Sequence, residues 1–557
     1  MERRTVIALV LVAAVMVLTP MLFPSARGRT PAPAAVADSQ AKSTPASPAP
    51  AALPVPAVPS VAPIAGDSAA PAPVVVPPAD VTVSDANATA TFTTAGGSLR
   101  RVDLKTFKAL DKSSRNVSLT AGQVPLLSYR IVAAGDTTAL AKQVLALTQT
   151  KDAKGGDVLT FTGQAGPHGV TIRYETVPDS FLTRVSGTIT GGAAGSGFLL
   201  VDMPETIDSY EADTTADHGA LAYAIKSGTR SAEGVRFASL DPGERKVIAG
   251  PITWAAAKNK YFIVGMLPDS GNTQFVEAQV IGGPKVSRFA TRAHGTVIGK
   301  LGADGRFAFD LYTGPQQYKR LLALGRDFEN SNPYGGWLQG VVQPFATIVM
   351  KILLWMKATL GWSYGALLVL FGIAVRTLMW PLNQKAMRST MKMQRLQPEM
   401  NALQTKYKSD PQKLQSEMMR LYKEHDMSPL SPLMGCLPML LPMPILFALF
   451  FVFQNTIEFR GVPYLWLADI SLKDPFYIVP LLMGGSMFLL SWIGLKNSPP
   501  NPQAKMMAYV MPVMMTVLFA NFASGLNLYY AVQNIAAIPQ QWLIANERSK
   551  AGPPAKA

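Results

Sequence analysis

A single cysteine, Cys436, occurs in 557 residues, so an intrachain disulfide is excluded. The four histidines, His168, His218, His294 and His425, lie far apart, and no HExxH or CxxC pattern accompanies them. A metal site of standard spacing is therefore not expected. No glycine-rich phosphate loop and no nucleophile elbow is present, which argues against nucleotide hydrolysis and against a Ser-His hydrolase. Carboxylates are missing from every long apolar run. Proton relays and ion-coupled transporters ordinarily place an acidic group inside the membrane, so that absence weighs against both.

What is present is hydrophobic and basic. Hydrophobic residues make up 48% of the chain, mean hydropathy is +0.18 and net charge is +15. Long uncharged runs account for the hydropathy, so the chain reads as an integral membrane protein. The excess of lysine and arginine reads first as positive-inside topology and second as a surface for anionic partners.

Four compositions follow one another. "MERRTVIALVLVAAVMVLTPMLF" holds about 19 apolar residues after two arginines, enough to span with its N-terminus in the cytoplasm. The alternative is a cleaved signal peptide with "AVADS" as its site. We assign residues 1–24 to a transmembrane anchor and the Pro/Ala-rich residues 25–80 to an extended linker. From 81 to about 330 the pattern has period two: "ATATFTT", "DVLTFTG", "VTIRYETV", "FLTRVSGTIT", "TQFVEAQVIGG" and "RFAFDLYTG" predict an antiparallel β-sandwich, placed outside the cytoplasmic membrane by the outward-crossing anchor. Residues 336–360 are apolar but carry Lys351 and Lys357 with flanking tryptophans, an amphipathic helix for the outer membrane surface.

The last part, 361–547, has apolar runs at about 361–382, 432–454, 475–493, 506–522 and 525–544, giving six transmembrane helices with the anchor. Alternation of sides puts the hairpin 383–430, the 496–505 turn and the short tail 548–557 in the cytoplasm. Those segments hold most of this region's basic residues, in keeping with the positive-inside rule.

Three constellations carry the functional expectation. Arg376 sits inside an apolar run, where a charge costs about 2.5–3.5 kcal/mol on insertion scales. One alternative is that it snorkels to the inner headgroups. Gly365 and Gly372, near the same face, are expected to leave space beside it. Asn527, Tyr530, Asn534 and Gln541 fall on one face of the last helix, flanked by Tyr529, Gln533 and Gln540. The expectation is a shared wet cavity with Arg376, and the alternative is interhelical hydrogen bonding. Methionine is dense in this half, suiting a greasy surface that repacks against varied partners, or plain core filling. Finally, 383–427 predicts an αα-hairpin with a basic exterior that includes Lys385, Arg388, Lys392 and Arg395, either a solvated face or a docking arm for RNA or nascent chains.

"RTLMWPLNQKAMRSTMKMQRLQPEMNALQTKY", "PLMGCLPMLLPMPILFALFFVF", "DPFYIVPLLMGGSMF" and "MPVMMTVLFANFASGLNLYYAVQN" resemble the YidC/Oxa/Albino family of membrane protein insertases. The match covers 336–547; over the β domain it rests on position and on "YTGPQQYKRL". The resemblance implies a Gram-negative plan: anchor, periplasmic β-supersandwich similar to sugar mutarotases, and a five-helix core in the inner membrane. It implies insertion and chaperoning of nascent membrane proteins, alone or beside the Sec translocon, without enzyme activity or cofactor. Arg376 stands at the family's groove arginine, and Tyr530 matches the second tyrosine of its "LYY" motif, which contacts substrate. Gly372 departs from the threonine often found there. The implied groove is Arg376, Gly372, Asn527, Tyr530, Gln533 and Asn534. The implied slide into the lipid bilayer is Met439, Met443, Phe447 and Phe450, and ribosome contact falls on the cytoplasmic loops. A transporter or channel, and an envelope sugar-binding protein or sugar enzyme built on the β domain, are the rival readings.

Overall fold

The computed structural model describes residues 77–550 apart from 112, 114, 121–123, 193–194, 270–272, 286–289, 333–338, 409, 426–442 and 497–501. The expected anchor and almost all of the linker lie outside these residues. So do the short tail from 551, the expected interfacial-helix start, the end of the hairpin from 426 and the first part of the apolar run expected at 432–454.

Strands run from β1 (Asp80–Ser84) to β18 (Arg306–Pro315). Four of them form a small sheet, and fourteen form a large one whose pairings are all antiparallel. Each alternating segment quoted above falls on a strand: residues 88–93, 157–165, 168–176, 182–189, 274–282 and 306–315. Alternation puts one face of each inward. Phe92, Phe161 and Tyr174 pack as a buried aromatic cluster, with centroids 4.7–6.5 Å apart. The Tyr174 hydroxyl donates to Gly97 O at 2.7 Å and lies 2.8 Å from the Tyr129 hydroxyl, so the polar tips inside the core are satisfied.

Helices α1 (Thr214–Gly219) and α2 (Tyr318–Ala323) belong to the β domain. The helical part comprises α3 (Gln339–Leu360), α4 (Tyr364–Lys406), α5 (Pro411–Glu424), α6 (Met443–Asn455), α7 (Ile478–Leu495), α8 (Pro502–Phe519) and α9 (Ser524–Lys550). Tyr364–Lys385 and Ile478–Leu495 are long and apolar enough to cross a membrane; Pro444–Asn455 and Lys505–Phe519 are shorter apolar helices. On α3, Val342, Ala346, Val349 and Leu353 are buried, while Phe345, Ile348, Ile352 and Trp355 are exposed together with Lys351, so the exposed face is apolar around one lysine.

One boundary differs from expectation. The first helix of the core does not stop where its apolar run ends, near Leu382. It continues as a single 43-residue helix to Lys406. Backbone hydrogen bonding has no reason to stop at a change of solvent, and the following residues are good helix formers. The hairpin then closes through Asp410, whose carboxylate caps α5 by accepting from Lys413 N at 3.0 Å, and through Leu396 packed on Tyr422.

The α6–α7 connection is fastened to the β domain. Arg460 donates through Nε to both oxygens of Glu211, at 2.8 and 3.0 Å, and through Nη2 to Lys108 O at 2.8 Å. Its guanidinium lies over Phe262 and Tyr261, 5.5 and 5.9 Å from the ring centroids. The side chains of the pair are only 6% and 5% exposed. Tyr261 donates to Ser471 Oγ at 3.2 Å, and Tyr318 N donates to Glu458 at 3.0 Å. Burial pushes the Glu211 carboxyl up to about 7 despite the neighbouring Arg460.

Candidate functional site: an intramembrane arginine between two helices

Helices α4 and α9 run side by side in the same direction. Phe371 meets Tyr529 with centroids 5.9 Å apart, and further along the pair Arg388 meets Glu547 at 3.0 Å. Between these contacts sits Arg376, half-buried. Its Nη2 donates to Gln540 Oε1 at 2.9 Å. Gln540, 1% exposed, donates in turn from Nε2 to Trp380 O at 2.9 Å. The Arg376 Nε–H is buried and meets no hydrogen-bond partner among the described residues. The guanidinium is thus held by a neutral partner, and its buried Nε–H is left without one.

The two glycines do something other than expected. A Cβ on Gly365 would run into the Tyr464 ring, and one on Gly372 would fall 3.1 Å from Val532. They admit close packing of the outer loop and of α9 against α4; neither keeps a space open beside Arg376.

The polar stripe of α9 divides in two. Asn534 donates to Ser486 Oγ at 3.2 Å and Met483 O at 3.3 Å on α7. Asn527, fully buried, donates to Phe519 O at 2.9 Å at the end of α8. Gln541 lies against Gly494 of α7. Tyr530 sits edge-on to Phe519, 5.5 Å between centroids. This face is joined to α7 and α8, as the hydrogen-bond alternative expects. The Arg376 side of α9 is the flanking set, about 100° round the helix: Tyr529, Gln533 and Gln540. Gln533 donates to the Tyr529 hydroxyl at 2.7 Å. Of the expected groove set, Asn527 and Asn534 are thus bonded toward α8 and α7, and the residue that holds the arginine is Gln540, about 15 Å along α9 from Tyr530.

Of the expected slide, Met439 lies outside the described residues, and Met443 begins α6 with its side chain outside them. Phe447 is half-buried. Phe450 is buried and stacks on Phe522 at 5.3 Å, facing the helical bundle. Of the basic hairpin residues, Lys385 and Arg388 are exposed, while the Lys392 and Arg395 side chains lie outside the described residues.

The family model described as "60Kd inner membrane protein" matches residues 355–551, and "YidC periplasmic domain" matches 80–348. A membrane protein insertase YidC of Syntrophus aciditrophicus (strain SB) is 30% identical over 568 residues, spanning 98% of this chain and 99% of its own. The chain belongs to the YidC family of membrane protein insertases. A second YidC, from Anaeromyxobacter dehalogenans (strain 2CP-C), is 30% identical over 488 residues, covering 84% of this chain and 85% of its own. A crystal structure titled "Active YidC insertase crystal structure with the first transmembrane domain resolved" is 18% identical, covers 83% of this chain and 92% of that one, and has a TM-score of 0.32. As a YidC family member the protein is an inner-membrane protein with a periplasmic β domain and a C-terminal helical region. Gln540, named from the sequence only as a flank of the polar stripe and absent from the expected groove set, is the residue that holds the arginine. The signal was its depth on α9 opposite Arg376, which only the pairing of the two helices makes readable.

Proposed function

We propose that this protein inserts and folds integral membrane proteins, alone or beside the Sec translocon, without hydrolysing nucleotide. The observation that carries the reading is the Arg376 guanidinium, held inside the apolar part of α4 by an uncharged glutamine and with a donor to spare. A positive charge without a resident carboxylate favours water and acidic or polar groups brought by a passenger. An incoming chain's polar tail gains that stabilisation part-way across, and its apolar segment of roughly 20 residues then partitions into lipid. Tyr529, Gln533 and Gln540 make up the polar wall beside Arg376, Gly372 lets α9 approach it, and Tyr530 lies nearer the outer end as a contact for the passing segment. Asn527 and Asn534 hold α9 against α7 and α8. Met439, Met443, Phe447 and Phe450 serve as the slide into lipid, and the basic hairpin with Lys385, Arg388, Lys392 and Arg395 recruits the ribosome and nascent chains from the cytoplasm, where both termini lie.

The test is protease protection of a short acidic-tailed substrate in vesicles carrying the full-length protein or Arg376→Ala. Loss of protection with Ala and partial retention with Lys is the expected result. Normal protection by Arg376→Ala at normal abundance rejects the groove role.

A further inference from the structure

We propose that Gln540 is a positioning residue for Arg376, one that fixes the guanidinium without cancelling its charge and so sets the preference for acidic translocated segments. The inference rests on the insertase reading above.

The bond pattern leaves no freedom in the amide's orientation. A guanidinium only donates, so the Gln540 atom facing Arg376 is Oε1; a backbone carbonyl only accepts, so the atom facing Trp380 O is Nε2. Both partners lie on α4, four residues apart, so one buried side chain spans one turn of that helix. A side chain held at two points has little rotamer freedom left, and neither has the arginine bonded to it. Tyr529 and Gln533 continue the same stripe of α9 toward its start, so Gln540 is the inner end of a polar line.

The identity of the amide matters. A carboxylate at 540 would make the same contact to Arg376 but would form a buried ion pair, removing the net positive charge from this depth. It would also set an oxygen against the Trp380 carbonyl. An aliphatic side chain would leave the charge but lose the anchor, returning a long, flexible arginine to whatever rotamers reach water. Only a neutral acceptor that also donates satisfies both atoms of α4 while the guanidinium keeps its charge and its spare N–H groups. Those spare donors are the ones a substrate carboxylate would take, as charge-assisted hydrogen bonds.

The experiment is a double-mutant cycle on the full-length protein in proteoliposomes. The insertion rates of two short substrates, one with an acidic and one with a neutral translocated tail, are measured for wild type, Gln540→Leu, Gln540→Glu, Arg376→Ala and Arg376→Ala/Gln540→Leu. The expected result is a drop in the acidic-to-neutral rate ratio of about tenfold or more with either Gln540 variant, the factor that a hydrogen bond to a charged group carries. In the Arg376→Ala background, Gln540→Leu should change that ratio no further. Equal loss for both tails, or an additive effect in the double variant, makes Gln540 merely structural and overturns the proposal. Should the Leu variant fail to accumulate, Gln540→Asn carries the test, since it keeps an amide but is one methylene short of bridging both partners. If Arg376→Ala itself leaves the ratio unchanged, the groove reading falls with it; if Arg376→Ala lowers the ratio and Gln540 variants do not, only the present inference falls.

Discussion

Removing either partner of the Glu211–Arg460 pair should not cost the same. Both groups are almost fully buried where the α6–α7 connection meets the β domain. Breaking a buried pair typically costs about 3–5 kcal/mol, because the survivor is left charged without compensation. Here the survivors differ. A guanidinium has no neutral form within reach. In Glu211→Ala, therefore, Arg460 stays charged and, among the described residues, keeps the Lys108 carbonyl and two aromatic faces. The full penalty applies. In Arg460→Met the survivor is a carboxyl that burial already pushes to about 7. It protonates at little further cost, and methionine fills much of the space over Phe262, so the loss should be nearer 1–2 kcal/mol, the desolvation of one neutral group. The assay is hydrogen exchange on the full-length protein in detergent, following Gly461 and Ile470, whose amides are bonded within the outer loop. At about 1.4 kcal/mol per decade, Glu211→Ala should cut protection by between two and nearly four decades and Arg460→Met by about one. Equal losses, or a larger loss for Arg460→Met, would refute the argument from the carboxyl's escape by protonation.

Two further outcomes are expected. Burial works against ionisation of Asp202, but the imidazole of His294 at 3.6 Å and hydrogen bonds from Arg130 and Thr296 outweigh it and hold the carboxyl down to about 2. A depressed folded value stabilises above the unfolded value and is lost as pH falls, so the β domain should lose about 2 kcal/mol between roughly pH 4 and pH 2, read by the fluorescence of buried Trp254; Asp202→Asn should flatten that slope, and an unchanged slope would reject the assignment. Asn534→Leu removes a bond across α7 and α9 and should lower the unfolding free energy in detergent by roughly 0.6–1.7 kcal/mol, the range for such contacts between membrane helices; an unchanged stability would show that the contact is not a tie between the helices.

The β strands were readable because a half-buried strand writes its two faces into the sequence residue by residue. Arg376 was readable for the opposite reason: it breaks a pattern. Gln540 breaks nothing, for a glutamine among Gln541, Gln533 and Asn534 looks like any other member of a polar set, and which one meets the arginine depends on how α9 is rotated against α4. The Glu211–Arg460 tie left no trace at all. Its members are 249 positions apart, each in a stretch where a charged residue would pass as solvated. The glycines misled because a missing side chain is read equally well as room and as contact; Tyr464 and Val532 decide for contact.

Helix α4 can be treated as a beam. At about 1.5 Å per residue its 43 residues reach about 64 Å, twice the hydrocarbon thickness of a bilayer. It is clamped at its outer end, where Tyr464 lies on Gly365 and Tyr364 meets Phe459 edge-on at 5.0 Å, and it is loaded at its inner tip by the hairpin. A stiff beam with that pivot would pass roughly a quarter of any swing at the tip to Arg376. Pro381, like Pro398 nearer the tip, lacks the N–H that would complete the ladder, and it makes a point of easy bending five residues beyond Arg376. The brace supplied by Gln540 touches Arg376 and Trp380, both on the clamped side of that point. Flexing at the proline would absorb sideways force on the hairpin before it reached that brace and the charge beside it.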